Sequence, residues 1–511
     1  MSIQRTTSRD EINKTVIKKK MEILKQYVDR FNRTDEEVYK NKIDNAHAYE
    51  WLAEEIPLLE CPDKTLEEIY YFRWWTYRKH VKETEDGYVI TEFLPNVPWS
   101  MKHNAINGSV AHHLYEGRWL KNSMKYLKDY VDFYFMNSEQ GHQYSTWMIY
   151  GIYQMCCVSG EWNLGDDFLT KACAYYEKWE ELHCLPNGMF WSLDGYDAME
   201  DSISGTTGDL RSLKGIRPTL NSYMCADAWA IAKFAEKQND SELQKKYLKK
   251  YEYLKKAIND NLWQNGFYRA FHFEEGQEGL SCEEIIEGWK EKSPRELIGY
   301  IPWMFGIPEA GKEDVFDALT DPTAFYTQFG LTTAEQSSPR FLYEVDHECL
   351  WNGYIWPFAT AQTLTAMRNV ISKYPAGERY EEAYYRLVQQ YAQMHRLIRE
   401  DGEIVPWIDE VKHPLREEWS SREILKNWGW EPGGYERGKD YNHSTFCDII
   451  LSGIIGIQCE GEELMVNPCI PDKWGYFRVE NLHFRGDEYI ILYDKTGEKY
   501  HSGKGIVIQK Q

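Results

Sequence analysis

The stretch Glu348-Cys-Leu-Trp-Asn-Gly-Tyr-Ile-Trp-Pro-Phe-Ala-Thr360 decides how the rest of the chain is interpreted. Four aromatic residues within it surround an Asn, a Gly and a Pro at a predicted junction between a loop and a helix. Because Pro is tolerated in the first turn of a helix, Pro357 places these aromatic side chains at the helix mouth. Aromatic faces beside the Asn352 amide form a surface that suits a sugar ring. A buried, purely structural helix start explains the same residues equally well.

Helical periodicity extends outward from this stretch over residues 9–460. The clearest patterns occupy residues 13–31, 66–78, 119–135, 166–182, 220–236, 242–261, 353–370 and 380–399. Many carry apolar residues at intervals of three and four, and several begin beside Ser, Thr, Asp or Pro. An open solenoid would show a repeat of fixed period, and the sequence has none. The pattern therefore predicts a closed ring of helical hairpins, with long aromatic loops at one end that build the site.

The character of the chain changes near Gly461. Alternating, β-branched or aromatic runs follow at residues 464–466, 477–484, 488–493 and 504–509, with turn signals between them. About fifty residues are too few for an independently stable domain. We therefore predict a catalytic helical unit over residues 1–460, including the N-terminal helices, and a small antiparallel β appendage over residues 461–511 that packs on it.

An acidic cluster lies in the segment Trp191-Ser-Leu-Asp-Gly-Tyr-Asp-Ala-Met-Glu-Asp201. Asp194, Asp197, Glu200 and Asp201 occupy eight consecutive positions with Gly, Ala and Met among them. Crowded carboxylates in a partly apolar setting raise one another's pKa, which keeps a carboxylic acid protonated near neutral pH. A solvated acidic loop or a helix N-cap cluster is the competing interpretation.

A second acidic segment, Pro406-Trp-Ile-Asp-Glu-Val-Lys-His-Pro414, lies about two hundred residues further on. An ionised Glu410 in this loop could activate a water molecule, and Glu431, between Trp430 and Pro432, is the competing base. Cleavage of a glycosidic bond requires one protonated and one ionised carboxyl group across the substrate. The two acidic segments, in a chain with 15% aromatic residues, therefore indicate a glycoside hydrolase.

Two further segments share this aromatic and polar character. Phe93-Leu-Pro-Asn-Val-Pro-Trp99 leads to Asn104, and Glu116-Gly-Arg-Trp-Leu120 places Trp119 beside Arg118. The Arg118 guanidinium could form bidentate hydrogen bonds with sugar hydroxyls or with a catalytic carboxylate. A structural ion pair is an equally good interpretation of Arg118.

The composition excludes several classes of partner. The net charge of −22 repels nucleic acid and anionic membranes. The eleven Cys show neither zinc-type spacing nor a disulfide framework. We find no signal peptide and no apolar segment of membrane-spanning length, so we expect a cytoplasmic protein. Walker, Rossmann and Gly-x-Ser-x-Gly patterns do not stand out, and we expect no cofactor and no metal. The oligomeric state stays open.

Taken together, these segments resemble the six-hairpin glycosidases, the group of mannosylglycerate hydrolase-like enzymes, glycoside hydrolase family 63 and trehalases. Trp351-Asn-Gly-Tyr-Ile-Trp-Pro-Phe358 is similar to their Trp/Arg-x-Gly-Pro-x-Trp-Pro signature, with Tyr354 in place of the first Pro. Asp197-Ala-Met-Glu-Asp-Ser202 resembles the general-acid loop, and Glu410-Val-Lys-His-Pro414 resembles the element of the general base, with Leu-Arg where Thr-Gly often follows.

The resemblance implies an (α/α)6 toroid and an inverting mechanism. Glu200 would be the general acid, with Asp197 as its close partner, and Glu410 the general base. Other alignments of the acidic loop with the general-acid motif make Asp197 or Asp201 the acid in place of Glu200. The residues expected to bind the substrate, a small oligosaccharide or glycoside, are Trp99, Asn104, Arg118, Trp119, Trp351, Asn352 and Trp356.

Two other functions fit the sequence less well. A polysaccharide lyase or unsaturated uronyl hydrolase on a similar toroid would need clustered Arg or Lys for a uronate carboxylate, which the acidic loops disfavour. A helical carbohydrate-binding protein without catalysis would need no paired carboxyl groups.

Overall fold

The computed structural model of the protein describes residues 9–205, 212–274, 276–289, 293–429 and 434–511. The α-helices within these ranges are α1 Arg9–Thr34, α2 Ala48–Glu55, α3 Lys64–His80, α4 Val110–Gly117, α5 Ser123–Met136, α6 Ser138–Gly141, α7 Met148–Ser159, α8 Phe168–His183, α9 Pro218–Lys237, α10 Ser241–Ala257, α11 Cys282–Trp289, α12 Ile301–Met304, α13 Pro357–Lys373, α14 Glu381–Met394 and α15 Ser420–Trp428. The 3₁₀ helix Glu313–Thr320 and the π-helical segment Ile449–Ile454 complete the helical body.

The strands are short except at the C-terminus. They are β1 Leu58–Glu60, β2 Val81–Thr84, β3 Gly87–Ile90, β4 Trp191–Ser192, β5 Gly215–Ile216, β6 Trp263–Gln264, β7 Phe267–Tyr268, β8 Phe271–His272, β9 Arg396–Ile398, β10 Ile404–Pro406, β11 Ile457–Gln458, β12 Met465–Val466, β13 Tyr476–Phe484, β14 Asp487–Asp494 and β15 Gly505–Lys510. All paired strands are antiparallel within the described ranges.

The helices form the (α/α)6 toroid implied by the resemblance, which confirms that prediction. Over the described residues, the inner ring consists of α4, α7, α9, α12, α13 and the segment Ile449–Ile454, and the outer ring of α3, α5, α8, α10, the helix Glu313–Thr320 and α14. Each outer segment leads through a loop into the next inner one. The ring closes where the Glu116 carboxylate, at the end of α4, accepts hydrogen bonds from the backbone N–H groups of Phe446, Cys447 and Asp448.

The inner helices are buried on almost every face because they lie between the central axis and the outer ring. Helix α9 packs against α7, α8, α10 and α12, and its Ala226, Ala228 and Ala230 provide the small side chains that such close neighbours require. None of the described helices combines the length and the apolar character that a membrane-spanning segment needs.

Two predicted helices begin later than their periodicity suggested. Gly353 adopts φ +122°, which lies outside the helical region, so the pattern at 353–370 becomes helix only at Pro357. Pro357 occupies the first helical turn, where its missing N–H is harmless, as the sequence predicted. The pattern at 119–135 becomes helix only at Ser123, because the residues before it form the turn that follows α4.

The C-terminal β-rich segment folds as predicted, with one added strand. Strands β13, β14 and β15 form an antiparallel sheet whose fourth strand, β1, comes from the N-terminal part of the chain. The Asn481 amide also donates hydrogen bonds to the carbonyl groups of Glu54 and Ile56. The sheet is therefore fastened to the helical body by the segment between α2 and α3.

Candidate active site

The loops that precede the inner helices meet at one end of the toroid. Trp147, just before α7, packs against His112 of α4 and Tyr223 of α9, with ring centroids 4.6 and 4.9 Å apart. Phe358, in the first turn of α13, stacks on His443 at 4.0 Å. These contacts join the N-terminal ends of the inner helices. Within the described residues, the loops at this mouth therefore include residues 81–109, 137–147, 184–205, 212–217, 321–356, 395–429 and 434–446.

The three segments that resemble the family motifs are hydrogen-bonded to one another. The backbone N–H of Trp351 donates to the carbonyl oxygen of Glu200 at 3.2 Å. Ile355 and Lys412 exchange two backbone hydrogen bonds of 2.9 Å, two residues beyond Glu410. The acidic loop of Glu200 and the loop of Glu410 are thus held against the same Trp-rich segment.

The half-buried Glu200 side chain carries a strongly perturbed carboxyl group. Burial raises its pKa from 4.5 to about 8, and the negative charges of Asp194 and Glu410 add to the effect. A carboxyl group with this pKa is protonated at neutral pH, which is the state that a general acid requires. The influence of Glu410 on this pKa shows that the two carboxyl groups share one electrostatic neighbourhood.

Glu410 is 2% exposed, and burial raises its pKa to about 8. Arg437 opposes that rise, with Nε 3.6 Å from Glu410 Oε2, while Asp409 and Glu348 add to it. The same guanidinium donates a 2.5 Å hydrogen bond to Glu348 and lowers the pKa of that carboxyl group. Gly438 permits this packing, because a Cβ atom there would collide with the Asp409 carboxylate.

Glu92, in the loop after β3, adds a further buried carboxyl group to the mouth. Its Oε1 lies 3.2 Å from Nδ1 of His443, and its Oε2 has no hydrogen-bond partner among the described residues. Its negative charge raises the pKa of Glu200, Glu410 and Tyr441. Glu92 therefore faces the same space as the two candidate catalytic residues.

The aromatic residues of the signature form the floor of this space. The Trp351 and Trp356 indoles stack at 4.5 Å with an interplanar angle of 20°, and both are buried. Asn352 is fully buried and donates to the carbonyl group of Tyr343, so it fixes the loop. Trp99 is only half-buried, and Arg437 lies over its ring at 4.7 Å. Trp99 therefore has the most open ring of the three tryptophans.

Asp197 occupies a structural position rather than an open one. It is 2% exposed, and its oxygens accept hydrogen bonds from four side chains: Ser145, Ser192, Arg217 and Thr219. The Arg217 contact is a fully buried ion pair of 2.6 Å. This arrangement is unsuited to proton donation, and it anchors the loop that carries Glu200. Asp201, the other alternative, lies 3.8 Å from the His347 imidazole.

Asn104 uses its whole amide within its own loop, which corrects the expectation that it binds substrate. Its Nδ2 donates to the carbonyl groups of Phe93 and Pro95, and its Oδ1 accepts from the Val97 N–H and the Ser100 hydroxyl. The side chain therefore shapes the loop that presents Trp99.

Arg118 and Trp119 lie away from the mouth, which corrects their predicted place in the innermost subsite. They follow the C-terminal end of α4, six residues beyond His112, which corresponds to about 9 Å along the helix axis. The carboxylate of Asp448 accepts hydrogen bonds from both side chains, at 2.7 and 2.8 Å. Arg118 therefore forms a structural ion pair with Asp448, which is the alternative role that the sequence analysis gave for it.

Sequence reasoning missed three of the residues that converge here, Glu92, Glu348 and Arg437. Each lies within or beside a segment of aromatic and polar residues, which was the available signal. Glu431, the competing base, lies outside the described residues. Among the described residues, one group of potential metal ligands is formed by Glu85, Asp86 and His103, where Lys102 already binds Asp86.

Comparison with known proteins agrees with this geometry. Residues 102–444 match the sequence profile of the mannosylglycerate hydrolase MGH1-like glycoside hydrolase domain. The chain belongs to this glycoside hydrolase family. The resemblance inferred from the motifs is thereby confirmed. Residues 457–509 match the profile of the C-terminal domain of glycosyl hydrolase family 65. No curated protein matches the chain.

Several solved structures are similar to the chain. A chain named sialidase is 34% identical with a TM-score of 0.85, and the match covers 96% of this chain and 43% of that one. An α-L-rhamnosidase from Dictyoglumus thermophilum is 11% identical with a TM-score of 0.52, covering 87% and 43% of the two chains. A GH78 family rhamnosidase from Bacillus sp. GL1 is 10% identical with a TM-score of 0.50, covering 86% and 40%. The rhamnosidases show the fold alone. The chain spans less than half of the length of these three structures.

Proposed function

We propose that this chain hydrolyses a small neutral glycoside or oligosaccharide with inversion at the anomeric carbon. The observation that carries the proposal is the hydrogen-bonded association of the Glu200, Trp351 and Glu410 segments. It brings two carboxyl groups from distant parts of the sequence into one electrostatic neighbourhood. Inversion requires a protonated carboxyl group and an ionised carboxylate about 6.5–9.5 Å apart, with room for a water molecule between them.

Glu200 is the proposed general acid and Glu410 the proposed general base. Arg437 lies 3.6 Å from Glu410 and favours its ionised form, whereas the charges that act most strongly on Glu200 are negative. On the position of Arg437, we assign the proton of this coupled pair to Glu200 and the negative charge to Glu410. Glu410 Oε2 accepts no hydrogen bond from the described residues and is available to a water molecule.

The charge of the site favours a neutral sugar. Four glutamates, Glu92, Glu200, Glu348 and Glu410, contribute negative charge to the site, and its Arg437 guanidinium is already bound to Glu348. The relative named sialidase raises the alternative of an anionic sugar, and a uronate substrate is the other anionic candidate. Both would be repelled by the carboxylates. The free Oε2 of Glu92 suits a sugar hydroxyl, and the half-buried Trp99 ring suits its apolar face.

A screen of substrates tests the proposed activity. The panel contains aryl glycosides, neutral disaccharides, an aryl sialoside and an unsaturated uronide, whose loss is followed by absorbance. NMR of the first released sugar identifies its anomer. Hydrolysis of a neutral glycoside with the inverted anomer supports the proposal. A retained anomer, or turnover of the sialoside or uronide alone, overturns it.

Two matched variants separate the acid from the base. A dinitrophenyl leaving group departs without a proton, so Glu200→Gln should lose about 10²- to 10⁴-fold in kcat on disaccharides and much less on a dinitrophenyl glycoside. Glu410→Gln should lose both activities because no group activates the water. Glu403→Gln, an exposed change in the same loop, is the control and should behave like the parent chain. Near-normal turnover of disaccharides in either active-site variant would reject the assignment.

We also propose the domain division at residue 460, with residues 1–460 as the catalytic unit and 461–511 as its β appendage. The family match over residues 457–509 supports a boundary in this region. A cytoplasmic location is proposed from the eleven free Cys, most of them buried, since a reducing compartment preserves thiols. Fractionation of the source cells, with a thiol count on the purified protein, tests the location.

A further inference from the structure

A second cavity lies at the opposite end of the toroid axis from the candidate active site. It encloses about 300 Å³, and its lining comes from α4, α7, α13, α14, the segment Ile449–Ile454 and residues 457–465. Arg368 in this cavity lies ten residues beyond Phe358 on α13, which corresponds to about 15 Å along the helix axis. Between the two levels, the buried Gln362 donates a 2.8 Å hydrogen bond to the Tyr223 hydroxyl. The cavity is therefore separate from the catalytic mouth.

Arg368 is the feature of this cavity that points to a ligand. Its side chain is 8% exposed, and its Nε has no hydrogen-bond partner among the described residues. Its Nη2 donates to the carbonyl oxygen of Asn467 at 2.6 Å, and no ion pair joins it to a carboxylate in the described part of the chain. Arg118, in the same wall, is by contrast paired with Asp448 at 2.7 Å. A buried guanidinium without a counter-ion is unfavourable, so an anion bound beside it would stabilise the folded protein.

The remainder of the cavity is suited to hydroxyl groups. The Tyr384 hydroxyl is buried without a hydrogen-bond partner among the described residues. Gln154 and Asn369 also line the cavity, and because their amide nitrogens already donate to Glu460 and to the Met304 carbonyl group, it is their amide oxygens that can accept from a ligand hydroxyl. At the rim, Lys373 lies 3.7 Å from Glu460, so that cation is already compensated. One buried, uncompensated positive charge matches a ligand with a single negative charge better than a polyanion.

We propose that this axial cavity binds a small polyhydroxy carboxylate, with the carboxylate on Arg368 and the hydroxyl groups on the tyrosine and amide side chains. The site does not depend on the proposed glycosidase activity, because it shares no residue with the catalytic mouth. Arg118, expected from the sequence to hold sugar, lines this second site instead.

Calorimetric titration of the full chain tests the proposal with three probes. D-gluconate and D-sorbitol have the same polyol chain and differ in the carboxylate, and inorganic phosphate supplies the competing oxyanion. Gluconate should bind at least about tenfold more tightly than sorbitol and phosphate, as expected for a charge-assisted hydrogen bond. Equal affinity for gluconate and sorbitol, or tighter binding of phosphate, overturns the proposal.

Variants locate the site. Arg368→Gln should weaken gluconate binding by about 10- to 100-fold, and Arg368→Lys should restore part of it. Glu200→Gln should leave gluconate affinity unchanged, because it alters only the catalytic mouth. Circular dichroism shows whether Arg368→Gln folds. If it does not fold, Ser372→Trp tests the site instead, because it places an indole at the exposed mouth of the cavity. It should abolish binding, whereas Ser241→Trp, on an exposed helix start, should not. Unchanged affinity in Arg368→Gln or Ser372→Trp refutes the site.

Discussion

Replacing Glu200 by Gln is expected to slow the turnover of disaccharides strongly and, at the same time, to stabilise the fold at alkaline pH. Burial and the charges of Asp194 and Glu410 raise the Glu200 pKa from 4.5 to about 8. The folded state therefore binds this proton more tightly than the unfolded state, and the stability of the parent chain falls as the pH rises from 4.5 to about 8. A neutral Gln of the same shape has no proton to lose and escapes this penalty.

The size of the effect follows from the pKa difference. A rise of about 3.5 units corresponds to at most about 5 kcal/mol above pH 8, and solvent contact of the half-buried side chain reduces this to about 2–4 kcal/mol. A chain of 511 residues has an unfolding entropy of about 1 kcal/mol/K. The Tm of Glu200→Gln should therefore exceed that of the parent chain by about 2–4 °C at pH 8.5.

Scanning calorimetry of the parent chain, Glu200→Gln and the exposed Glu403→Gln between pH 4.5 and 9 measures this difference. The gap in Tm between Glu200→Gln and the parent should be small at pH 4.5 and grow up to about pH 8. Glu403→Gln should follow the parent throughout. A Glu200→Gln protein that is equally or less stable than the parent at pH 8.5 would show that this carboxyl group does not carry a raised pKa.

Three further substitutions follow from the same contacts. Arg437→Met removes the cation 3.6 Å from Glu410, so the pKa of that base should rise by about 1–3 units and the acidic limb of the kcat/KM profile should move to higher pH, with Arg437→Lys in between. Asp197→Asn removes the ion pair of the buried Arg217, and chemical denaturation should show a loss of about 3–5 kcal/mol in the free energy of unfolding. Asn104→Ala releases the loop of Trp99, so KM should rise several-fold while kcat changes little; unchanged KM would exclude that role.

Much of the fold was predictable because its signals are local. The position of Pro357 and the three- and four-residue spacing of apolar side chains locate helices without any knowledge of their partners. Strand β1 could not be found in this way, because its three residues form a strand only through pairing with Arg478, Val479 and Glu480. The same limit applies to the start of α13, which depends on the backbone angle of Gly353.

The sequence predicts the chemical type of the site residues, but it does not show whether each side chain is free to bind a substrate. Asn104 and Arg118 have the residue types of sugar-binding loops, yet the protein itself engages them, Asn104 within its own loop and Arg118 through a distant residue. For Arg118 that partner, Asp448, is 330 residues away. Glu92 directly precedes the aromatic segment 93–99, but only the fold brings it beside His443. Chemical type is local information, whereas the availability of a side chain depends on long-range packing.

The balance of charges at the mouth explains why one of its carboxyl groups is protonated at neutral pH. Glu348 and Glu410 are buried beside Arg437, and the charge of the buried Glu92 acts on both Glu410 and Glu200. One guanidinium cannot compensate four carboxylates in a medium of low dielectric constant, so at least one of them retains its proton at neutral pH. Arg437 binds Glu348 and lies beside Glu410, which directs the proton toward Glu200. In the proposed mechanism, the asymmetry between the acid Glu200 and the base Glu410 therefore arises from the position of Arg437, and moving that charge should change the pH profile more than it changes the fold.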